Sequence, residues 1–202
     1  MKIIIVGGNG TIGKKVSRHF AKKHEVIIGG RNSGDVKIDI ADSKSIEAMY
    51  EVTGTVDAVV CIAGEAKWAA LDSMTEEDFY LGLKSKLMGQ VNLVRIGQHH
   101  LKAGGSFTLT TGILADHPVL LTTSPAMVNG GIHSFVKAAS LELRNGIRIN
   151  VVSSGLVEDA IDKYETYFPG HNPTPMNKVI NGYVKSVEGA GTGEVIRMYD
   201  NC

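Results

Sequence analysis

The chain carries no excess of either charge: 21 lysines and arginines stand against 21 aspartates and glutamates in 202 residues. With no basic field there is no electrostatic footprint for nucleic acid or for an anionic membrane surface. No apolar run approaches the ~20 residues of a spanning helix, and no signal peptide is expected ahead of the first strand. A cytoplasmic protein is therefore expected, with neither nucleic acid nor membrane as partner. Cysteine is scarce: Cys61 falls in an apolar strand pattern and Cys202 is the last residue. Two free thiols in a reducing compartment are expected rather than a disulfide framework. The seven histidines are scattered, and His99 and His100, being adjacent, point to different helix faces. No metal-ligand spacing results, and no metal is expected. There is no internal repeat, low-complexity tract or linker. With 43% hydrophobic and 21% charged residues, one globular domain over residues 1–202 is expected.

What is present is concentrated at the start. Lys2 to Val6 is a short, β-branched, apolar run that reads as a buried parallel strand. Gly7, Gly10 and Gly13 follow at spacing three, and an amphipathic helix begins at once, with Ile12, Val16 and Phe20 on one face. This is the arrangement of a phosphate-binding turn. Gly7 permits the tight turn, Gly10 lets backbone approach a pyrophosphate, and Gly13 lets helix pack on strand. The backbone of Asn9, Thr11 and Ile12 completes the turn, and the helix N-terminus offers N–H groups to the anion. The plain alternative is an ordinary glycine-rich turn.

Beyond this, strand-like and helix-like segments alternate. Strands are predicted at 25–29, 36–40, 56–63, 106–111, 147–152 and 194–198. Helices are predicted at 11–23, at 43–52 with Ser43 as N-cap, from 75 to about 101, at 124–144, and as short pieces near 159–167 and 175–187. The alternation implies right-handed βαβ units and a single-domain, Rossmann-like, doubly wound parallel α/β sheet. Its ligand crevice lies at the carboxyl ends of the strands.

Several stretches resemble the short-chain dehydrogenase/reductase family. Besides the glycine turn, Asp39-Ile40 stands where that family contacts the adenine. Ala63-Gly64 is similar to the tail of its Asn-Asn-Ala-Gly, and Leu141-Glu142-Leu143 followed by Gly146-Ile-Arg-Ile-Asn-Val-Val is similar to its sixth-strand signature. The resemblance implies seven strands in the order 3-2-1-4-5-6-7 and a nicotinamide dinucleotide cofactor. No acid ends the second strand, where an NAD-preferring site holds a ribose with a carboxylate. Gly30 is followed instead by Arg31, Asn32 and Ser33. A guanidinium suits a 2′-phosphate, so NADP is expected over NAD; the alternative is a solvated turn arginine. Family members commonly pair through helices, and the helix predicted at 124–144 is rich in small residues, so a homodimer or homotetramer is expected.

The chain departs from the family at its chemical centre. Counting back from Glu142, the Tyr-x-x-x-Lys positions hold Pro125 and Asn129. The serine position holds Gly112, with Thr111 adjacent, and the asparagine of the tetrad is Lys86. Ser154-Gly155 replaces Pro-Gly after the sixth strand, and a threonine beyond it becomes Asp159, a carboxylate that would repel a nearby pyrophosphate. No tyrosine lies between Tyr80 and Tyr164, so the usual proton donor is gone, and losing a general acid typically costs ~10²–10⁴ in rate. Candidate substitutes are Lys86 as acid or anion clamp, Thr111 as donor and Asn129 on the ribose, with Ser124, His117, Tyr164 and Tyr167 in reach from loops. Each also has a plain reading: Lys86 snorkelling over a surface, Thr111 ending a strand, Asn129 satisfying backbone. Cys61 reads either as a redox-sensitive thiol or as a small strand hydrophobe. The expected function is a short-chain-type oxidoreductase on a small carbonyl or alcohol by a rearranged mechanism. The alternative is a non-catalytic dinucleotide-binding or sensing module.

Overall fold

The structure is a computed structural model that describes residues 1–200; Cys202 lies outside them. Seven parallel strands form one sheet in the order β3-β2-β1-β4-β5-β6-β7, the order expected. β1 (Lys2–Val6) sits inside it, with Ile4 paired to Ile27 of β2 (Glu25–Gly30) and to Val59 of β4 (Val56–Cys61). Successive strand residues face opposite sides. Ile4 and Val6 join Val59, Phe107 and Ile132 under α2 (Ser43–Thr53), α4 (Gly89–Gly97) and α5 (Thr123–Glu142). Ile3 and Ile5 join Val16, Val179 and Tyr183 under α1 (Thr11–Phe20) and α7 (Met176–Glu188). With helices on both faces, β1 and most of β4 are apolar runs, whereas Phe107 and Leu109 alternate with Thr108 and Thr110, whose hydroxyls pair with Ser186 and Tyr183 of α7.

Several boundaries differ from expectation for local reasons. β3 is only Val36–Lys37, because the Asp39 amide donates to Ser45 Oγ and its carboxylate accepts from the Ala41 amide, turning the chain into α2. The N-cap of α2 is Asp42, whose side chain accepts from the Lys44 amide; Ser43 is already helical. The predicted helix from 75 to 101 is three pieces. α3 (Glu76–Gly82) opens with a Thr75–Asp78 capping box, a π-helical segment spans Leu83–Met88, and α4 follows. β5 begins at Leu101 and runs to Gly112, five residues before expectation, since Leu101 already pairs with Val56. β6 (Arg148–Ser154) starts one residue later than expected and ends two residues later, at Ser154. The 159–167 region is a single α-turn, α6 (Ile161–Tyr164), between two 3₁₀ turns, and β7 (Val195–Met198) closes the sheet.

Candidate functional site

The glycine turn is built by close approach. Gly7 holds φ +81°, and a Cβ there would lie 2.7 Å from Ile62 O. A Cβ on Gly13 would lie 2.1 Å from Gly7 O, so no side chain fits where α1 packs on the turn. Gly10 is the N-cap of α1 and no side chain caps it, which leaves the first-turn amides for an anion. Asn9 Nδ2 donates to Ser33 Oγ at 3.0 Å, tying this turn to the loop after β2.

That loop makes a polar recess. Arg31, Asn32, Ser33 and Lys37 line it together. Lys37 was not anticipated; its signal is that an exposed edge strand of two residues must put alternate side chains over the loop beside it. A neighbouring cleft is lined by Gly7, Arg31, Asp39, Ile40, Ala63 and Gly64, which gathers the expected adenosine-binding residues. Glu65 lies across it and forms an ion pair with Arg31.

The π-helical segment places Lys86. Gly64 holds φ +126°, and a Cβ there would come within 2.9 Å of Lys86 Cα and Cγ. The lysine stem therefore lies across the glycine that follows β4. Burial lowers the Lys86 pKa, partly offset by the Cys61 thiol. Among the described residues, no hydrogen bond or ion pair holds its ammonium. Cys61 itself is fully buried, and desolvation pushes its thiol up to about 11; a thiol so shielded behaves as a small strand hydrophobe.

Of the other tetrad positions, Pro125 and Asn129 are buried and Gly112 is half-buried. Asn129 Nδ2 reaches Gly112 O at 3.5 Å, and its Oδ1 has no hydrogen-bond partner; neither does Ser124 Oγ. Buried unpaired acceptors of this kind are costly unless a ligand or water meets them. Thr111 turns away from the crevice: its Oγ1 lies 2.8 Å from His133 Nε2 on α5. Its neighbour Thr110 faces Tyr183 on the opposite side of the sheet. Asp159 is paired with Lys15 of α1 at 3.1 Å, which offsets its charge near the phosphate turn. His117 packs against Tyr199, and Tyr167 edges onto Trp68.

Beyond Gly112 and Ser154 a cleft of about 170 Å³ opens, with Ile12 of the glycine turn on one wall. Trp68, Tyr164 and Phe168 form its aromatic side. Tyr164 was a candidate from sequence; Trp68 and Phe168 were not, since they reach the cleft from loops far apart in the chain. Among the described residues, no group of three or more His, Cys, Asp or Glu side chains could hold a metal ion, and no helix is long and apolar enough to cross a membrane.

A glycine turn at the carboxyl edge of a parallel sheet, with a cleft and a polar recess beside it, is the arrangement of a dinucleotide-binding fold. A family profile described as Enoyl-(Acyl carrier protein) reductase matches residues 5–181. The chain is 25% identical over 170 residues to the 3-oxoacyl-[acyl-carrier-protein] reductase MabA of Mycobacterium avium, covering 77% of this chain and 67% of that protein. It is 31% identical over 117 residues to an uncharacterized oxidoreductase of Methylorubrum extorquens, of which 46% is covered. The crystal structure of lin1944 from Listeria innocua superposes with a TM-score of 0.97 at 46% identity, over 98% of this chain and 100% of that one. A small-chain dehydrogenase solved in complex with NADPH shares the fold at TM-score 0.86 and 24% identity, over 98% of this chain and 95% of that one. The chain belongs to the short-chain dehydrogenase/reductase family, whose members are NAD(P)-binding oxidoreductases.

Proposed function

We propose that this protein is an NADP(H)-dependent oxidoreductase acting on a small carbonyl or alcohol without the family's tyrosine and lysine. The observation that carries the reading is the recess shared by Arg31, Asn32, Ser33 and Lys37 beside an uncapped phosphate turn. Two cationic residues and a hydroxyl line it with no carboxylate among the lining residues; Arg31, now paired with Glu65 across the neighbouring cleft, would exchange that partner for a 2′-phosphate, which a guanidinium binds well. Gly7, Asn9, Gly10, Thr11, Ile12 and Gly13 would hold the pyrophosphate, and Asp39, Ile40, Ala63 and Gly64 the adenosine. When bound, NADPH supplies a hydride. Asn129 Oδ1, buried and unpartnered, would accept from the nicotinamide ribose. Lys86, which lies across Gly64 and does not itself line the cleft beyond Gly112, would have to turn its Nζ to the substrate oxygen to hold the proton given to it there; an ammonium with a burial-lowered pKa is a stronger acid than a solvated one. Thr111, the second sequence candidate, supports the wall through His133. The reading includes one domain over residues 1–202, a cytoplasmic setting and a homodimer or homotetramer; the groove between α4 and α5, with the apolar Val94, Phe135, Ala139 and Leu143, supports helix-to-helix pairing.

Calorimetric titration with NADPH and NADH tests the cofactor assignment. Tighter NADPH binding is expected, and Arg31→Ala should weaken it by about ten- to a hundredfold, the worth of charge-assisted hydrogen bonds of ~1.5–3 kcal/mol, while NADH binding changes little. Equal affinity of the unmutated protein for both cofactors contradicts it. The non-catalytic alternative is favoured by Pro125 and Asn129 standing where tyrosine and lysine belong; it gains if NADPH binds but no carbonyl or alcohol is turned over.

A further inference from the structure

The cleft beyond Gly112 has an uneven chemistry. Its lining includes no acidic, basic or histidine side chain. The polar side-chain groups among its lining residues are the hydroxyls of Ser154 and Tyr164 and the indole N–H of Trp68; the other side chains are aliphatic or aromatic. Trp68 and Tyr164 present rings 5.5 Å apart by centroid and tilted by 34°. Phe168 backs Trp68 at 6.5 Å. Asp159, next to the lining residue Ala160, is paired with Lys15, and Lys163 sits over the Tyr164 ring at 4.9 Å without lining the cleft. Ser154 is nearly buried in β6, whereas Tyr164 is half-buried and its hydroxyl bonds to no described residue.

We propose that this cleft selects an uncharged, planar, apolar carbonyl compound, held against the Trp68 and Tyr164 rings with its oxygen accepting from the Tyr164 hydroxyl. A carboxylate at the end of the molecule away from the carbonyl would find no counter-charge among the residues lining this cleft, Lys86 not being one of them, and would forfeit its hydration. A flat ring system instead gains area against the aromatic walls, and offset aromatic contacts add to the area term. A hydroxyl in an apolar surround discriminates strongly for an acceptor it can pair with. The proposal rests on the oxidoreductase reading, because it takes the cleft beside Ile12 and Gly112 as the place of the reacting substrate.

Trp68 is the single tryptophan of the chain, so its emission reports on this cleft alone. The test uses protein saturated with NADP⁺, titrated with 2-naphthaldehyde, 6-formyl-2-naphthoate and naphthalene. The aldehyde should quench Trp68 and bind at least about tenfold more tightly than the carboxylate. Tyr164→Phe, which deletes only the hydroxyl, should weaken the aldehyde by roughly five- to tenfold and leave naphthalene unchanged. Equal or tighter binding of the carboxylate, or equal aldehyde affinity in Tyr164→Phe, overturns the proposal. Cofactor binding is read separately from NADPH's own fluorescence. Protein that binds NADPH but gives no naphthaldehyde response overturns the cleft assignment and leaves the cofactor reading standing. Protein that binds naphthaldehyde but not NADPH overturns the cofactor reading instead.

Discussion

Asp116 shows how single residues fix the end of the sheet. Arg197 Nε and Nη2 both donate to its carboxylate at 3.0 Å, and the Tyr199 hydroxyl donates as well. The Arg197 guanidinium holds the carboxyl down at about 2, against 3.8 ordinarily, with burial opposing. In the unfolded chain the group protonates first as pH falls. The stabilisation is therefore fully present well above pH 3.8 and lost as pH drops toward 2; because the pair is solvent-exposed, screening reduces it to on the order of 1 kcal/mol. Urea titrations between pH 5 and pH 2 should show it (a range spanning both values), and Arg197→Gln should flatten that dependence. His133 works at a higher pH. Burial lowers its pKa from 6.5, so stability should fall as pH drops below 6.5 and the unfolded chain takes up the proton first. At this scale the glycine turn was legible because its spacing is local. The direction of Thr111 was equally available from strand alternation: Thr110 and Thr111 must face opposite sides, and only tertiary packing says that His133 awaits the second.

At the scale of elements, the π-helical segment Leu83–Met88 matters most. One extra residue per turn leaves the apolar stripe nearly intact, so the sequence reads as one long α-helix from 75 to 101. In the fold, the extra residue lays Lys86 against Gly64, and such bulges often sit at functional sites. The two residues form a matched pair. Gly64→Ala would place a side chain at φ +126° and within 2.9 Å of Lys86. It should cost about 2 kcal/mol in urea unfolding. An unchanged midpoint would mean that the Lys86 stem does not lie across Gly64. Strand identities were legible because both faces of the sheet are covered, which favours apolar runs such as β1 and most of β4. Strand and helix ends were less so: Asp42 and Ser43 both have capping side chains, and only the observed Lys44 bond separates them.

For the whole molecule, the sheet order followed from the family resemblance, while the aromatic cleft did not, since Trp68, Tyr164 and Phe168 come from two long connections that fold over it. The pairing proposed through α4 and α5 is a whole-molecule property too. Phe135→Glu would replace the aromatic side chain of this groove, which Arg95, Gln98 and Glu142 line together with Val94 and Leu143, by a further charge, and sedimentation should then show monomer where the unmutated protein is dimeric or tetrameric; an unmutated protein that is monomeric at micromolar concentration contradicts the pairing. The central claim is that Lys86 has taken over the charge once supplied by the missing lysine and tyrosine. Its most direct test is NADPH oxidation with an aromatic aldehyde, followed at 340 nm (the nicotinamide band, of order 340), in the unmutated protein and in Lys86→Met. The account predicts a loss of at least about a hundredfold in rate, with NADPH affinity unchanged. Full activity in Lys86→Met would contradict it.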